Sequence, residues 1–247
     1  MLRKYAESSP AGLVEAQIPH VIIVDHQLFA ESLSLLLKKN DLDVIINPKS
    51  LCETAPMNTV VLIELFLPNN QCGLRLAKHV QQSRPDLIPI LWTASPSPSS
   101  IWAAIEYRIS GFLDKSMNLS RSFFWFNHAL ANGTAWPGHL LDEGRRWNCE
   151  IALRLKTLTK DHWRLWGGLL REENTIQLAS QLGWSKRTFE RRLSELYVAI
   201  GVNCRSEGIN LAWKWDLIRI NGATLDWSSV VTDFFINSAP QMALVRL

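Results

Sequence analysis

The sequence predicts a five-stranded parallel α/β domain, doubly wound with helices on both faces, followed by an all-helical domain. In the first half, short β-branched apolar runs alternate with helical patterns, whereas the second half has helical patterns only. Glycines and prolines between the halves indicate a boundary. A chain of 247 residues with 47% hydrophobic and 20% charged residues has room for one or two globular domains.

Five apolar runs are predicted to be the strands, because short runs rich in Val, Ile and Leu are typical of buried parallel strands. They cover residues 20–24, 43–47, 59–65, 87–93 and 111–113. Helical spacing predicts the connecting helices at 27–40, 72–84, 101–109 and 120–131. The stretch 48–58 contains two prolines and predicts only a short or distorted helix.

Changes in composition divide the chain into five predicted segments. They are a flexible N-terminal arm (1–19), the sheet domain (20–131), a partly helical linker (132–157), a helical domain (158–218) and a C-terminal extension (219–247). Helices are predicted at 147–156, 160–171, 175–182, 186–199 and 204–218. The extension shows no pattern that assigns its structure.

Composition and motifs argue against several classes of protein. The net charge of +3 permits a nucleic-acid partner without requiring one. Four dispersed cysteines indicate reduced thiols, not a disulfide scaffold or a metal site. Residues 1–19 lack the apolar core typical of a signal peptide, and no run approaches the length needed to cross a bilayer, so a cytoplasmic location is predicted. We predict no enzymatic activity, metal or cofactor, because nucleophile–base pairs and glycine-rich phosphate loops are absent.

Polar residues follow the apolar runs of four predicted strands. Asp25 ends the first strand, Glu64 lies in the third, Thr93 ends the fourth and Lys115 follows the fifth. Because the carboxyl ends of parallel strands meet at one edge of the sheet, these side chains are expected to converge there. A single polar residue at such a position is ordinarily just a solvated residue at the end of a strand.

Over residues 20–131 the chain resembles the receiver domains of two-component response regulators. The segments that carry the resemblance are Val-Leu-Ile-Glu64-Leu-Phe-Leu-Pro68, Trp92-Thr93-Ala94 and Gly111-Phe112-Leu-Asp-Lys115. The resemblance implies a flavodoxin-like strand order and a phosphorylation pocket formed by Asp25, Glu64, Thr93, Phe112 and Lys115. Phe112 would be the switch aromatic.

The pocket departs from the receiver pattern at two positions. Receivers have an acid pair after the first strand, which helps to hold Mg²⁺, whereas this chain has Val24-Asp25. The phospho-acceptor is normally Asp, and here it is Glu64. Loss of one carboxylate and lengthening of another impair octahedral metal binding and in-line transfer. We therefore predict action without phosphorylation, with three alternatives: Glu64 imitates the phosphorylated state by reaching Lys115, the pocket is retired, or Glu64 is simply a satisfied polar residue.

The second domain contains a predicted helix-turn-helix. Asn174 caps one helix, Gly183-Trp184 forms the turn, and Ser185 caps the next helix. In this motif the second helix enters the major groove, and arginines suit guanine edges and phosphates. The predicted DNA-binding residues are Ser185, Lys186, Arg187, Thr188, Glu190, Arg191, Arg192 and Ser194.

From Leu158 to about Ile209 the chain resembles the LuxR-type output domain of the NarL/FixJ response regulators. The matching stretches are Leu158-Thr159, 178–188 and 200–207. The chain departs at His162, where the family usually has Glu, and at Glu190, where the family often has a DNA-contacting lysine. Glu190 either accepts from a cytosine amino group or pairs with a neighbouring arginine.

The predicted function is a transcription regulator that binds double-stranded DNA as a homodimer. Dimer contacts are expected from 123–126 or 212–215, although core packing also accounts for these aromatic residues. Two alternatives stay open: an interaction protein that titrates another regulator, and a regulator controlled by a small molecule in the former phosphate pocket. Residues 160–216 contain nine Lys/Arg and seven Asp/Glu, so this domain is not strongly basic.

Overall fold

The computed structural model describes residues 20–68, 71–171, 174–221, 224–237 and 239, so the predicted arm 1–19 lies outside the described residues. Its largest element is a parallel sheet with strand order β2-β1-β3-β4-β5. The strands are β1 (His20–Val24), β2 (Asp43–Ile46), β3 (Val60–Ile63), β4 (Ile88–Thr93) and β5 (Gly111–Asp114). The predicted doubly wound sheet with flavodoxin-like order is confirmed.

Helices cover both faces of the sheet. They are α1 (Gln27–Lys38), α2 (Leu51–Thr54), α3 (Gly73–Ser83), α4 (Pro98–Glu106) and α5 (Leu119–Asn132). Residues of α1 and α5 pack on one face and residues of α2, α3 and α4 on the other. The prediction of 101–109 for the fourth helix was wrong at both ends. Its start lies at Pro98 because the Ser97 hydroxyl accepts a hydrogen bond from the Ser100 N–H and caps the helix.

The segment predicted as a partly helical linker is helical over most of its length. It consists of α6 (Gly138–Trp147), a π-helical turn (Asn148–Ala152) and α7 (Leu153–Leu155). The predicted start at 147 was therefore nine residues too late. Gly144 lets α6 approach α4 closely, since a Cβ there would lie 2.8 Å from Ile105 Cδ1. The segment is packed along the first domain by this contact.

Four helices follow: α8 (Lys160–Leu170), α9 (Thr175–Gln181), α10 (Lys186–Ile200) and α11 (Arg205–Lys214). The first three match the predicted ranges to within one residue. The fourth was predicted to reach 218 but ends at Lys214. Asp216 adopts a positive φ of 58°, and the Leu217 N–H returns to the Ala212 carbonyl at 2.9 Å, which closes the helix.

After α11 the chain forms a small antiparallel hairpin, β6 (Ile218–Asn221) and β7 (Thr224–Trp227). It continues into α12 (Ser229–Val231) and a π-helical turn (Thr232–Ile236). The strands were not predicted, because two four-residue segments are too short to show a clear period. We call residues 218–236 the C-terminal strap.

The C-terminal strap packs against α3 and α4 of the first domain. Asp233 accepts two hydrogen bonds from Arg75, at 2.8 and 2.7 Å. The ring of Phe234 stacks on Tyr107 at 4.4 Å between centroids, and Phe235 stacks on Trp102 at 5.4 Å. One continuous buried core therefore runs from the sheet through α4 and α6 to the second domain. Among the described helices, none is long and apolar enough to cross a membrane.

Candidate functional site

Three of the predicted pocket residues form a charged triad at the carboxyl edge of the sheet. The Lys115 ammonium lies 2.6 Å from Asp25 Oδ2 and 2.6 Å from Glu64 Oε2. Asp25 follows β1, Glu64 follows β3 and Lys115 follows β5, so the parallel strands deliver all three to one edge. Both carboxylates are buried. The sequence correctly anticipated their convergence.

Each carboxylate oxygen of the triad already accepts a hydrogen bond. Asp25 Oδ1 accepts from the His26 N–H, and Glu64 Oε1 accepts from the Leu65 and Phe66 N–H groups. The two remaining oxygens hold Lys115. Receiver folds imply Mg²⁺ at this edge, and Mg²⁺ requires several oxygen ligands in octahedral geometry. These residues do not fit that ion, because it would have to displace the ammonium from both carboxylates.

The triad combines two carboxylates with one ammonium. Burial raises the pKa of Asp25 above its ordinary value, and the neighbouring Glu64 carboxylate adds to this effect. The hydrogen bond and charge of Lys115 oppose the rise without cancelling it. Asp25 therefore depends on Lys115 to remain ionised at this depth.

The other two predicted pocket residues, Thr93 and Phe112, differ in their relation to the cleft above the triad. Thr93 is fully buried, lines the cleft above the triad, and accepts a hydrogen bond from the Ser95 N–H at 3.2 Å. Phe112 is also fully buried but is absent from the described lining of that cleft. Its ring packs toward Trp136, 6.3 Å away, in the core on the α3–α4 side. Alternate residues of a strand face opposite sides of the sheet, which places Phe112 on this side, and its role as the switch aromatic stays a prediction.

Sequence reasoning missed several residues that build the cleft. Lys115 Nζ lies 3.8 Å from the centroid of the Phe29 ring, a cation–π contact. The Asn47 side chain exchanges hydrogen bonds with the backbone N–H and carbonyl of Asp25, at 3.0 and 3.1 Å. Gly73 is also required, because a Cβ there would lie 1.8 Å from the Glu64 carbonyl oxygen. Of these three residues only Asn47, which directly follows β2, carried a positional signal, and such positions are common.

The second candidate site is the helix-turn-helix formed by α9 and α10. Gly183 takes a positive φ of 70° in the turn, which suits glycine. The Ser185 hydroxyl accepts from the Thr188 N–H at 3.2 Å and caps α10, as predicted. Phe189, Leu196 and Ile200 are buried against the domain. In contrast, Ser185, Lys186 and Arg187 at the start of the helix are exposed.

The predicted DNA-binding residues of α10 differ in accessibility. Arg187, Glu190, Arg191 and Ser194 are exposed, and the Lys186 side chain is 90% exposed. Glu195 binds Arg191 at 2.8 Å and Arg192 at 3.2 Å. The Arg192 side chain is only 18% exposed. Its i,i+3 spacing brings it to Glu195 on a partly covered face, and its predicted role in DNA binding stays a prediction.

Comparison with protein-family models finds no match to this chain. YdfI of Bacillus subtilis (strain 168), a transcriptional regulatory protein, is 23% identical over 210 residues, covering 81% of this chain and 98% of YdfI. The response regulator RcsB in complex with DNA has a TM-score of 0.52 and 17% identity, over 79% of this chain and 98% of RcsB. RcsB of Salmonella enterica serovar Typhimurium, bound to promoter rprA with BeF3-, has a TM-score of 0.50 and 15% identity, over 78% and 97%.

Over most of its length the chain has a fold similar to that of RcsB. Because the match covers 98% of RcsB but 79% of this chain, this chain contains additional residues beyond the shared fold. Identities this low establish the fold alone, so contacts with DNA have to be argued from this chain's own residues.

Within this RcsB-like fold, His162 explains one departure from the LuxR-type pattern. The His162 N–H donates to the Thr159 hydroxyl at 3.3 Å, and the Thr159 N–H donates to His162 Nδ1 at 3.4 Å. This is a capping box in which an imidazole takes the place of the usual Glu or Gln. Accepting through Nδ1 requires the neutral ring. Burial lowers the pKa of His162, and Arg192 lowers it further against the opposing charges of Glu195 and Asp161.

This capping box predicts a pH-dependent stability. Because the folded-state pKa of His162 lies below its unfolded value of 6.5, the stabilisation is complete above 6.5 and is lost as the pH falls through the folded pKa. His162→Gln keeps a capping side chain that does not titrate. We expect the stability of the wild type, relative to this variant, to fall between pH about 7 and about 5 in urea unfolding. The control is His139→Gln on an exposed surface; equal pH dependence in His162→Gln and the wild type would contradict the assignment.

Proposed function

We propose that this chain is a DNA-binding transcription regulator with the architecture of a response regulator. The observation that carries the proposal is the exposed first turn of α10, where Lys186 and Arg187 follow a capped glycine turn. Cationic side chains and a helix N-terminus at one surface suit a phosphate backbone and the major groove. RcsB, which shares the fold, has been solved with DNA, and YdfI is named as a transcriptional regulatory protein.

We also propose that the chain acts without aspartyl phosphorylation. The support is the triad, in which Lys115 binds the Glu64 carboxylate directly and backbone N–H groups occupy the other oxygen. A charged acceptor already paired with the lysine favours imitation of the phosphorylated state over a retired, apolar pocket. A cytoplasmic location and membership of the NarL/FixJ group, with a LuxR-type output domain, stay predictions.

Homodimerisation is part of the same proposal. On α5 the Phe124 side chain is 60% exposed, and on α11 Trp213 is 43% exposed. The neighbouring Phe126 and Ala212 are buried, so core packing accounts for these two positions. A dimer would match a two-fold operator.

DNA binding is tested by footprinting on the region upstream of the gene and by salt-dependent titration. Lys186→Ala/Arg187→Ala is expected to weaken binding and to reduce the slope of log K against log salt by about 2. The matched control is Arg145→Ala/Arg146→Ala on the exposed side of α6. An equal effect of both double variants, or a wild type without affinity for duplex DNA, would overturn the proposal.

Two further measurements use the same protein preparation. Acetyl phosphate with Mg²⁺ is expected to leave the DNA affinity unchanged, and an increase would contradict phosphorylation-independent action. Light scattering is expected to give twice the mass of one chain, and a monomer on and off DNA would contradict dimerisation.

Two alternatives have their own support in the structure. Glu195 holds Arg191 and Arg192, which reduces the free positive charge of α10 and favours a protein that titrates another regulator. An open cleft of about 440 Å³ above the triad, lined by Phe29, Phe66 and Ser95, favours a ligand-controlled regulator. Unchanged regulation in cells carrying Lys186→Ala/Arg187→Ala would favour the titration alternative.

A further inference from the structure

The exposed face of α10 carries a mixed set of charges. The side of α10 opposite the buried residues carries a stripe of residues at helical spacing, namely Arg187, Glu190 with Arg191, Ser194 and Val198. Each of them is exposed, and the Val198 side chain is left 80% accessible. The stripe that would face a duplex therefore contains a carboxylate between two arginines.

Glu190 forms a weaker ion pair than Glu195, the other acidic residue of α10. Its carboxylate lies 3.9 Å from Lys186, one turn earlier, and both side chains are largely exposed, at 63% and 90%. By contrast, Glu195 binds Arg191 and Arg192 at 2.8 and 3.2 Å. A surface pair at 3.9 Å contributes little energy, so Glu190 can exchange Lys186 for another partner at low cost.

A carboxylate in a DNA groove is repelled by phosphates and accepts hydrogen bonds only. In the major groove, guanine presents two acceptors and thymine presents one acceptor and a methyl group. Adenine presents an amino donor beside the N7 acceptor, which would repel a carboxylate oxygen. Cytosine presents its 4-amino donor alone on its edge, so it is the base whose chemistry suits Glu190 best.

We propose that Glu190 determines sequence specificity by accepting a hydrogen bond from the 4-amino group of cytosine in the major groove. The inference rests on the proposed DNA-binding function. On binding, Lys186 transfers from Glu190 to a backbone phosphate, so each member of the weak pair gains a stronger partner. Arg187, which precedes Glu190 by three residues in the stripe, would then contact a guanine edge or a phosphate beside that cytosine.

The test is selection of binding sites from a random duplex library with the full-length protein. Sites selected by the wild type are expected to contain cytosine at one position of each half-site. Replacing that cytosine by another base should weaken binding roughly 5- to 150-fold. Glu190→Ala should lose the preference at that position alone and should bind non-specific DNA more tightly, because a charge that repels phosphate is removed. Glu190→Gln should change the preference to adenine, since an amide both donates and accepts.

Glu150→Ala, an exposed acid outside the helix-turn-helix, is the matched control and should select the wild-type sites. Circular dichroism of each variant verifies folding. If Glu190→Ala and Glu190→Gln select the same sites as the wild type, the inference fails while the DNA-binding function stands. If the wild type selects no sequence, both fail.

Discussion

Lys115→Met is expected to lower the free energy of unfolding by about 3–5 kcal/mol. The substitution leaves the buried Asp25 and Glu64 carboxylates side by side without a counter-charge. Because burial already raises the pKa of Asp25, protonation can relieve part of the repulsion. A group with a raised folded pKa stabilises the fold at low pH, so the deficit should shrink as the pH falls toward about 4.

Urea unfolding measures this loss, with Lys49→Met, an exposed loop lysine, as the matched control. Asp25→Asn/Glu64→Gln/Lys115→Met removes all three charges and should recover most of the stability, since a neutral set needs no counter-ion. Equal stabilities of Lys115→Met and Lys49→Met would show that the triad is solvated and that our account of it is wrong.

Phe235→Ala is expected to lower the free energy of unfolding by about 3–5 kcal/mol. The Phe235 side chain is 2% exposed, and its ring lies 5.4 Å from Trp102, 6.3 Å from Trp147 and 6.0 Å from Trp163. It therefore joins the C-terminal strap to α4, α6 and α8 at once. Truncation leaves a cavity where the cores of the two domains meet.

Leu35→Ala is the control, because Leu35 on α1 is 67% exposed and its truncation should cost about 0.5 kcal/mol or less. Denaturation followed by tryptophan fluorescence reports on the surrounding indole rings directly. If Phe235→Ala is as stable as Leu35→Ala, the C-terminal strap does not hold the two domains together.

Local sequence signals predicted most elements of the fold. The five strands and the helices α8 to α10 follow from apolar periodicity, which is a property of neighbouring residues. The ends of α4 and α6 were mispredicted, because caps and close packing decide where a helix begins. The hairpin of the C-terminal strap escaped prediction since each strand has only four residues.

The site was predictable where topology alone places residues. Strand ends in a parallel sheet meet at one edge, so Asp25, Glu64 and Lys115 could be grouped without coordinates. The packing of Phe112 on the α3–α4 side could not be predicted, because the face a strand residue occupies depends on how the sheet is covered. On α10 the sequence indicated the cluster of basic residues but not that Glu195 would form ion pairs with both Arg191 and Arg192.

By itself the sequence determined the order of strands and helices, the capped turn before α10 and the set of charges at the sheet edge. These depend on residues a few positions apart or on the rules of parallel sheets. Only the tertiary structure decided that Lys115 holds two carboxylates 90 and 51 positions away, and that Asp233 pairs with Arg75 across 158 positions. Such contacts depend on how whole elements pack, and no local pattern encodes that geometry.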